Sequence, residues 1–192
     1  MIFQKSYTPP SGFRNELLCC FPTDVSYFAS DYEAVMASKE SLRLWSHSEW
    51  PEDTFTKEEN KKDLQFHVDD NSAHCAYGYM LYNPEKTQCL GSIYVNPVES
   101  LKKYYTIRDG SNSLLETMDA RIDYWIRDCP FERNFELSKA ILEWIQVDWN
   151  IRAGFTARER MTTRMQVYQK LNLEKKLSLQ YKEDKSDLYV FQ

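Results

Sequence analysis

The sequence predicts an α+β fold: a central mixed, mostly antiparallel sheet of six or seven strands with helices on both faces. Three observations carry this. In the C-terminal third, residues 119–128 alternate like a strand, and Leu137, Ala140, Ile141, Trp144 and Ile145 follow at helical spacing. A short run over 151–156 comes next, then a second helical run ending in Tyr168-Gln-Lys-Leu-Asn-Leu173. Strand, helix, strand, helix is the pattern of a βαβ unit, whose two strands are parallel. Upstream, 76–82 and 89–95 are rich in aromatic and β-branched residues and flank the polar loop 83–88, which is a hairpin signal. At the end of the chain, 174–181 and 187–192 alternate around a turn at 183–186.

The remaining elements follow in order. Residues 1–12 read as an extended arm that stops at Pro9-Pro10 and Ser11-Gly12, and 13–21 as a first strand rich in Leu and Cys. Pro22-Thr-Asp24 offers a helix start, with Thr23 or Asp24 as the cap. Tyr27, Phe28, Tyr32, Val35 and Met36 continue it near a three-to-four spacing. Trp50-Pro51 requires a loop. Thr56-Lys-Glu-Glu59 is a capping-box pattern, and the helix behind it stops near Asp69-Asp-Asn71. Residues 96–118 read as a long, partly mobile connection, with a short helix or strand extension at 101–107.

Bulk properties bound the function. A chain of 192 residues with 42% hydrophobic and 28% charged residues fits one soluble domain, 1–192. The net charge of −5 gives no support to a nucleic-acid partner, which wants a basic surface. No apolar run is long enough to cross a bilayer, and the N-terminus lacks a signal-peptide core. Five cysteines, Cys19, Cys20, Cys75, Cys89 and Cys129, are odd in number and fit no zinc spacing, so reduced thiols in the cytoplasm are expected. His47, His67 and His74 pair with no ligand at metal spacing, so no metal is expected.

Over residues 13–192 the order of elements resembles the GNAT superfamily of acyl-CoA-dependent N-acyltransferases. Leu90-Gly-Ser-Ile-Tyr-Val-Asn-Pro97 is similar to that family's third strand, and Ile122-Asp-Tyr-Trp-Ile-Arg-Asp-Cys-Pro130 to its fourth strand and exit. Tyr168-Gln-Lys-Leu-Asn-Leu173 is similar to its tyrosine–x–lysine–leucine–glycine–phenylalanine helix ending. The resemblance implies acetyl-CoA as co-substrate, lying between the fourth and fifth strands, and an unidentified amine acceptor. It places the cofactor against Ile126, Arg127 and Asp128 at the strand exit, and against Arg133, Asn134 and Ser138 in the pyrophosphate turn. In that turn Glu136 and Ser138 stand at the family's glycine positions, and Glu136 brings a carboxylate and a side chain to where phosphate and bare backbone should meet. Met161 replaces the family's asparagine, and Asn172 its glycine.

The resemblance makes Tyr168 the acid for the leaving thiolate, against plain packing on an amphipathic helix. Asp123 is the candidate base on the fourth strand, against a solvated strand face or an ion pair with Arg121 or Arg127; Glu33 and Glu40 are weaker bases. Trp45, Trp50, Tyr77, Tyr79, Tyr124 and Trp125 either line an acceptor pocket or fill the core. Two functions remain open: N-acetyl transfer to a small-molecule or peptide amine, or a non-catalytic ligand- or partner-binding protein on the same fold. The oligomeric state is open, a homodimer included.

Overall fold

The computed structural model describes residues 2–192. Strands β1 (Phe13–Arg14) and β2 (Cys19–Pro22) form a tight hairpin where one strand was expected. The break is Asn15, whose side chain accepts from the Leu17 and Leu18 amides. The arm ahead of β1 is docked on the sheet: Tyr77 and Tyr79 donate their hydroxyls to the carbonyls of Ile2 and Pro10. Asp24 caps the turn before α1 (Phe28–Ala37), and α2 (Lys39–Ser46) follows directly. Thr56 and Glu59 form the expected capping box of α3 (Lys57–Ala73), which runs past Asn71 to His74 in the left-handed region.

The hairpin β3 (Tyr77–Tyr82) and β4 (Cys89–Asn96) is antiparallel as expected. The 96–118 stretch is not a loose connection. It folds as α4 (Glu99–Tyr104), β5 (Tyr105–Asp109) and α5 (Asn112–Thr117). Leu101, Leu115 and Met118 draw it inward by packing with Leu177, Leu179 and Leu188. Next come β6 (Ala120–Ile126) and α6 (Phe131–Trp144), then a π turn at Ile145–Trp149 that ends on left-handed Asn150. Then follow β7 (Ala153–Ala157), α7 (Thr162–Lys170), β8 (Lys175–Tyr181) and β9 (Asp187–Phe191). The nine strands form one sheet in the order β1-β2-β3-β4-β6-β7-β9-β8-β5. Nine replace the six or seven expected because the first strand is a hairpin and β5 closes the far edge beside β8.

The sheet's strand alternation divides the core. On one face Ile93, Ile122 and Tyr124 pack against Leu137, Ile141, Val167 and Tyr168 of α6 and α7. On the other face Met80, Tyr82 and Trp125 pack against Val35, Leu42 and Leu64 of α1, α2 and α3. β6 and β7 are parallel, as the helix between them requires, but only Ala120↔Ala153, Arg121↔Gly154 and Ile122↔Phe155 pair. Beyond these the strands part. β6 stays with β4 out to Gly91↔Ile126, and β7 stays with β9 out to Ala157↔Tyr189. Gly91 allows the close approach: its φ is +143°, and a Cβ there would sit 2.1 Å from the Trp125 carbonyl oxygen.

Asp31 of α1 is buried among these layers, held by Asn60 Nδ2 at 3.0 Å and beside the Cys89 thiol. Burial pushes its carboxyl from 3.8 up to about 6. The folded state therefore keeps a proton that the unfolded chain sheds, so stability falls as pH rises from 3.8 to about 6 and stays lower above it. Such a rise corresponds to ~3 kcal/mol. Asp31→Asn removes this penalty. Urea unfolding across pH 4–8 is expected to show the variant gaining on the wild type by ~2–3 kcal/mol between the two ends; a gap that does not change with pH contradicts it.

Candidate active site

The parting of β6 and β7 leaves backbone groups on two inner edges without a strand partner. Two side chains cap them. Arg164 Nη1 donates to the Tyr124 carbonyl at 3.1 Å, and Tyr168 Oη donates to the Thr156 carbonyl at 3.2 Å; the Thr156 hydroxyl lies 3.5 Å from the Ile122 carbonyl, at the last paired position. Since the Ile122 and Tyr124 carbonyls face the gap, alternation turns the Ile126 amide the same way. Two cavities lie along this gap.

The larger cavity, about 480 Å³, lies on the α1–α3 side. Trp45, Trp50, His67, Tyr94, Asp123 and Arg158 line it. Asp123 sits at the fork. Its Oδ1 accepts from the Thr156 hydroxyl, and its Oδ2 accepts from Asn96 Nδ2 at 3.0 Å. Arg121 Nε lies 2.9 Å from the same Oδ2, in ion-pair contact without hydrogen-bond alignment. A carboxylate has about four acceptor sites, so Oδ1 keeps one for an incoming N–H. His67 lies against the Tyr94 ring at 4.8 Å, one turn after Asp63. Burial lowers its imidazole below 6.5 despite Asp63 and Asp70, so it is neutral at pH 7. Burial likewise raises Asp63, against the pull of His67. Arg158 is held by neutral groups: the Trp45 carbonyl, the Ser186 hydroxyl and the Tyr105 hydroxyl, at 3.3–3.4 Å.

The smaller cavity, about 190 Å³, is lined by Leu42, Trp125, Ile126, Asp128, Asn134 and the start of α7 from Arg160 to Arg164. Trp45 and Met161 line both cavities, so the two meet there.

Of the residues that the sequence put forward as cofactor contacts, Ile126, Asp128 and Asn134 come together around the smaller cavity. Arg127 continues the ladder, its amide bonded to the Leu90 carbonyl. The turn itself moves. Residues 133–138 lie inside α6, and the strand-to-helix turn is 127–130, starting six residues earlier. Pro130 fixes the start: it takes the N-cap position, and the Asn134 amide bonds its carbonyl. Arg133 therefore points to the Leu17 carbonyl at 3.0 Å, Ser138 is fully buried on the core face, and Glu136 is exposed on the helix. Tyr168 is fully buried with its hydroxyl on Thr156 and lines neither cavity; burial, reinforced by Tyr124, raises its phenol well above the ordinary value. Glu33 and Glu40 are exposed, and Glu40 pairs with Arg43. Among the aromatic candidates Trp45 and Trp50 line the larger cavity and Trp125 the smaller, while Tyr77, Tyr79 and Tyr124 are core. His67, Tyr94, Arg158 and Arg164 were not singled out. Arg164 carried a signal, an arginine one turn before Tyr168 on the buried stripe of its helix.

No protein-family model matches the sequence, and no curated protein matches it. Solved structures do match. RimL, a ribosomal L7/L12 α-N-protein acetyltransferase with bound coenzyme A, superposes with TM-score 0.65 at 16% identity, over 95% of this chain and 94% of that one. The microcin C7 self-immunity acetyltransferase MccE, in complex with acetyl-CoA and AMP, gives 0.67 at 15% identity over 95% of both chains. The ribosomal-protein-S5-alanine acetyltransferase from Vibrio fischeri gives 0.64 at 12% identity, again over 95% of both. A GNAT-family acetyltransferase from Bacillus anthracis gives 0.62 at 11% identity, over 94% of this chain and 96% of that one. The chain therefore has the GNAT acetyltransferase fold.

The relocated turn has a direct consequence. Glu136→Gly, which would repair a pyrophosphate turn at 133–138, instead places a glycine inside α6. It is expected to cost about 1 kcal/mol of stability and to leave coenzyme A affinity unchanged by calorimetric titration; a gain in affinity returns the turn to 133–138.

Proposed function

We propose that the chain is an acyl-CoA-dependent N-acyltransferase that moves an acetyl group from acetyl-CoA to a primary amine of a small molecule or peptide by direct attack. The observation that supports this most is the fork between β6 and β7, with two cavities along it that share Trp45 and Met161. A thioester entering through the smaller cavity meets an amine from the larger one at those two residues. The Ile126 amide supplies a hydrogen bond for the carbonyl oxygen as it gains charge. The amide groups of 131–133 at the start of α6 are open to pyrophosphate, and the Glu132 carboxylate is paired with Lys170 at 3.1 Å. Asp123 accepts the amine proton on its unused Oδ1 site. The solved relatives named for ribosomal proteins support a protein N-terminus as one acceptor, and MccE supports a small molecule as another.

One feature favours the non-catalytic reading: the 127–130 turn, Arg-Asp-Cys-Pro, has no glycine to bring bare backbone to a phosphate. Calorimetric titration separates the two. Acetyl-CoA is expected to bind, and coenzyme A release is expected with at least one member of a panel of amines and N-terminal peptides. Absence of binding supports the ligand-binding alternative. With an accepted amine, Asp123→Asn is expected to lower kcat by at least ~100-fold while acetyl-CoA affinity stays level. A loss confined to KM makes Asp123 a binding group only.

A further inference from the structure

Arg164 is buried, with 6% of its surface exposed, and no carboxylate lies within 4.0 Å of it among the described residues. Its charge meets the Tyr124 carbonyl at 3.1 Å, the Tyr124 ring face at 3.3 Å and the Tyr168 ring at 5.7 Å, and it pulls the Tyr168 phenol down against the effect of burial. A guanidinium has five N–H donors, and one of them has a protein acceptor here. Arg164 is among the residues that line the smaller cavity. An uncompensated buried ion is costly, so this position is complementary to negative charge that arrives during turnover. The start of α7 adds to it. Met161 gives no side-chain cap, and the amides of Thr163 and Arg164 lie in the first turn of a nine-residue helix that borders the same cavity. Tyr168 lies one turn further on, behind Arg164, with its proton already given to Thr156.

We propose that Arg164 is a catalytic residue that stabilises the leaving thiolate of coenzyme A, in place of a proton-donating tyrosine. The inference rests on the acyltransferase reading. The amine nitrogen bonds to the acyl carbon, and the carbon–sulfur bond breaks with its electron pair passing to sulfur. The guanidinium keeps its proton and donates hydrogen bonds to the thiolate. The proton lost by nitrogen goes to Asp123, and the thiolate is protonated by solvent on release. The groups facing Arg164 are Tyr124 on β6, Tyr168 on its own helix, Asp128 and Cys129 on the 127–130 turn, and Arg160 ahead of α7. Asp128 and Arg160 are exposed and opposite in charge, and burial raises the Cys129 thiol, so none of these neutralises Arg164 at neutral pH.

The test needs no acceptor. Reduced coenzyme A and desulfo-coenzyme A are titrated calorimetrically into wild type, Arg164→Gln, Arg164→Lys and Tyr168→Phe from pH 6.5 to 8.5. A free thiol ionises near ~8.5. A site that favours thiolate makes coenzyme A gain over the desulfo compound as pH rises toward that value. In the wild type the ratio of the two dissociation constants is expected to grow by about tenfold, ~1.4 kcal/mol. Arg164→Gln should flatten it, Arg164→Lys should retain part, and Tyr168→Phe should match the wild type. A flat wild-type ratio overturns the assignment even if Arg164→Gln does not fold, and so does an equal rise in Arg164→Gln. Failure of both ligands to bind the wild type overturns the acyl-CoA reading itself, and the assignment with it.

Discussion

The structure turns on the point where β6 and β7 stop pairing. Each strand is held by its outer neighbour up to its end: β6 by β4 from Arg121 to Ile126, β7 by β9 from Phe155 to Ala157. Between them the ladder has three residue pairs and then ends. Opening a sheet in the middle of a core leaves carbonyls and amides that water cannot easily reach, and each needs a partner. The chain supplies partners from side chains rather than from a strand. Arg164 and Tyr168 take the carbonyls of Tyr124 and Thr156. The fork is thus a stabilised feature of the fold and not a fluctuation of it, and both cavities exist because of it.

Charge is shared unevenly between the two cavities. The smaller cavity carries Arg160, Arg164 and the positive end of α7, with Asp128 at the exposed turn. The larger cavity carries Asp63 and Asp123 together with Arg121 and Arg158, with His67 kept neutral by burial. The anionic cofactor of the proposed reaction therefore meets the favourable sign in the smaller cavity. The net charge of −5 is compatible with this because cavity fields depend on local groups more than on the whole-molecule balance.

Much of the fold was legible because its signals are local. The capping box at Thr56 and Glu59, the 77–96 hairpin and the βαβ order of 120–157 each depend on neighbours within one element or one turn. The 96–118 segment was not legible. Its short elements have little periodicity of their own, and β5 pairs with β8 some seventy residues later. The site shows the same division. Asp123, Trp45 and Trp50 came from strand alternation and composition. The 133–138 turn was misplaced because a family pattern was laid over a helix that Pro130 had already begun. His67 and Arg158 lie on separate elements, and no local pattern brings them to Asp123.

Tyr168 ties the fold to the candidate site through a single neighbour. Its hydroxyl fixes the Thr156 carbonyl, and the hydroxyl of the same Thr156 donates to Asp123. Tyr168 therefore orients the proposed base through one intervening residue, from inside the core. The phenol is bonded to a buried carbonyl and lines neither cavity. Arg164, one turn earlier on α7, is among the residues of the smaller cavity and carries a charge with no carboxylate beside it. In the proposed reaction α7 thus separates two tasks, stabilising charge at Arg164 and holding geometry at Tyr168, that one tyrosine would otherwise combine.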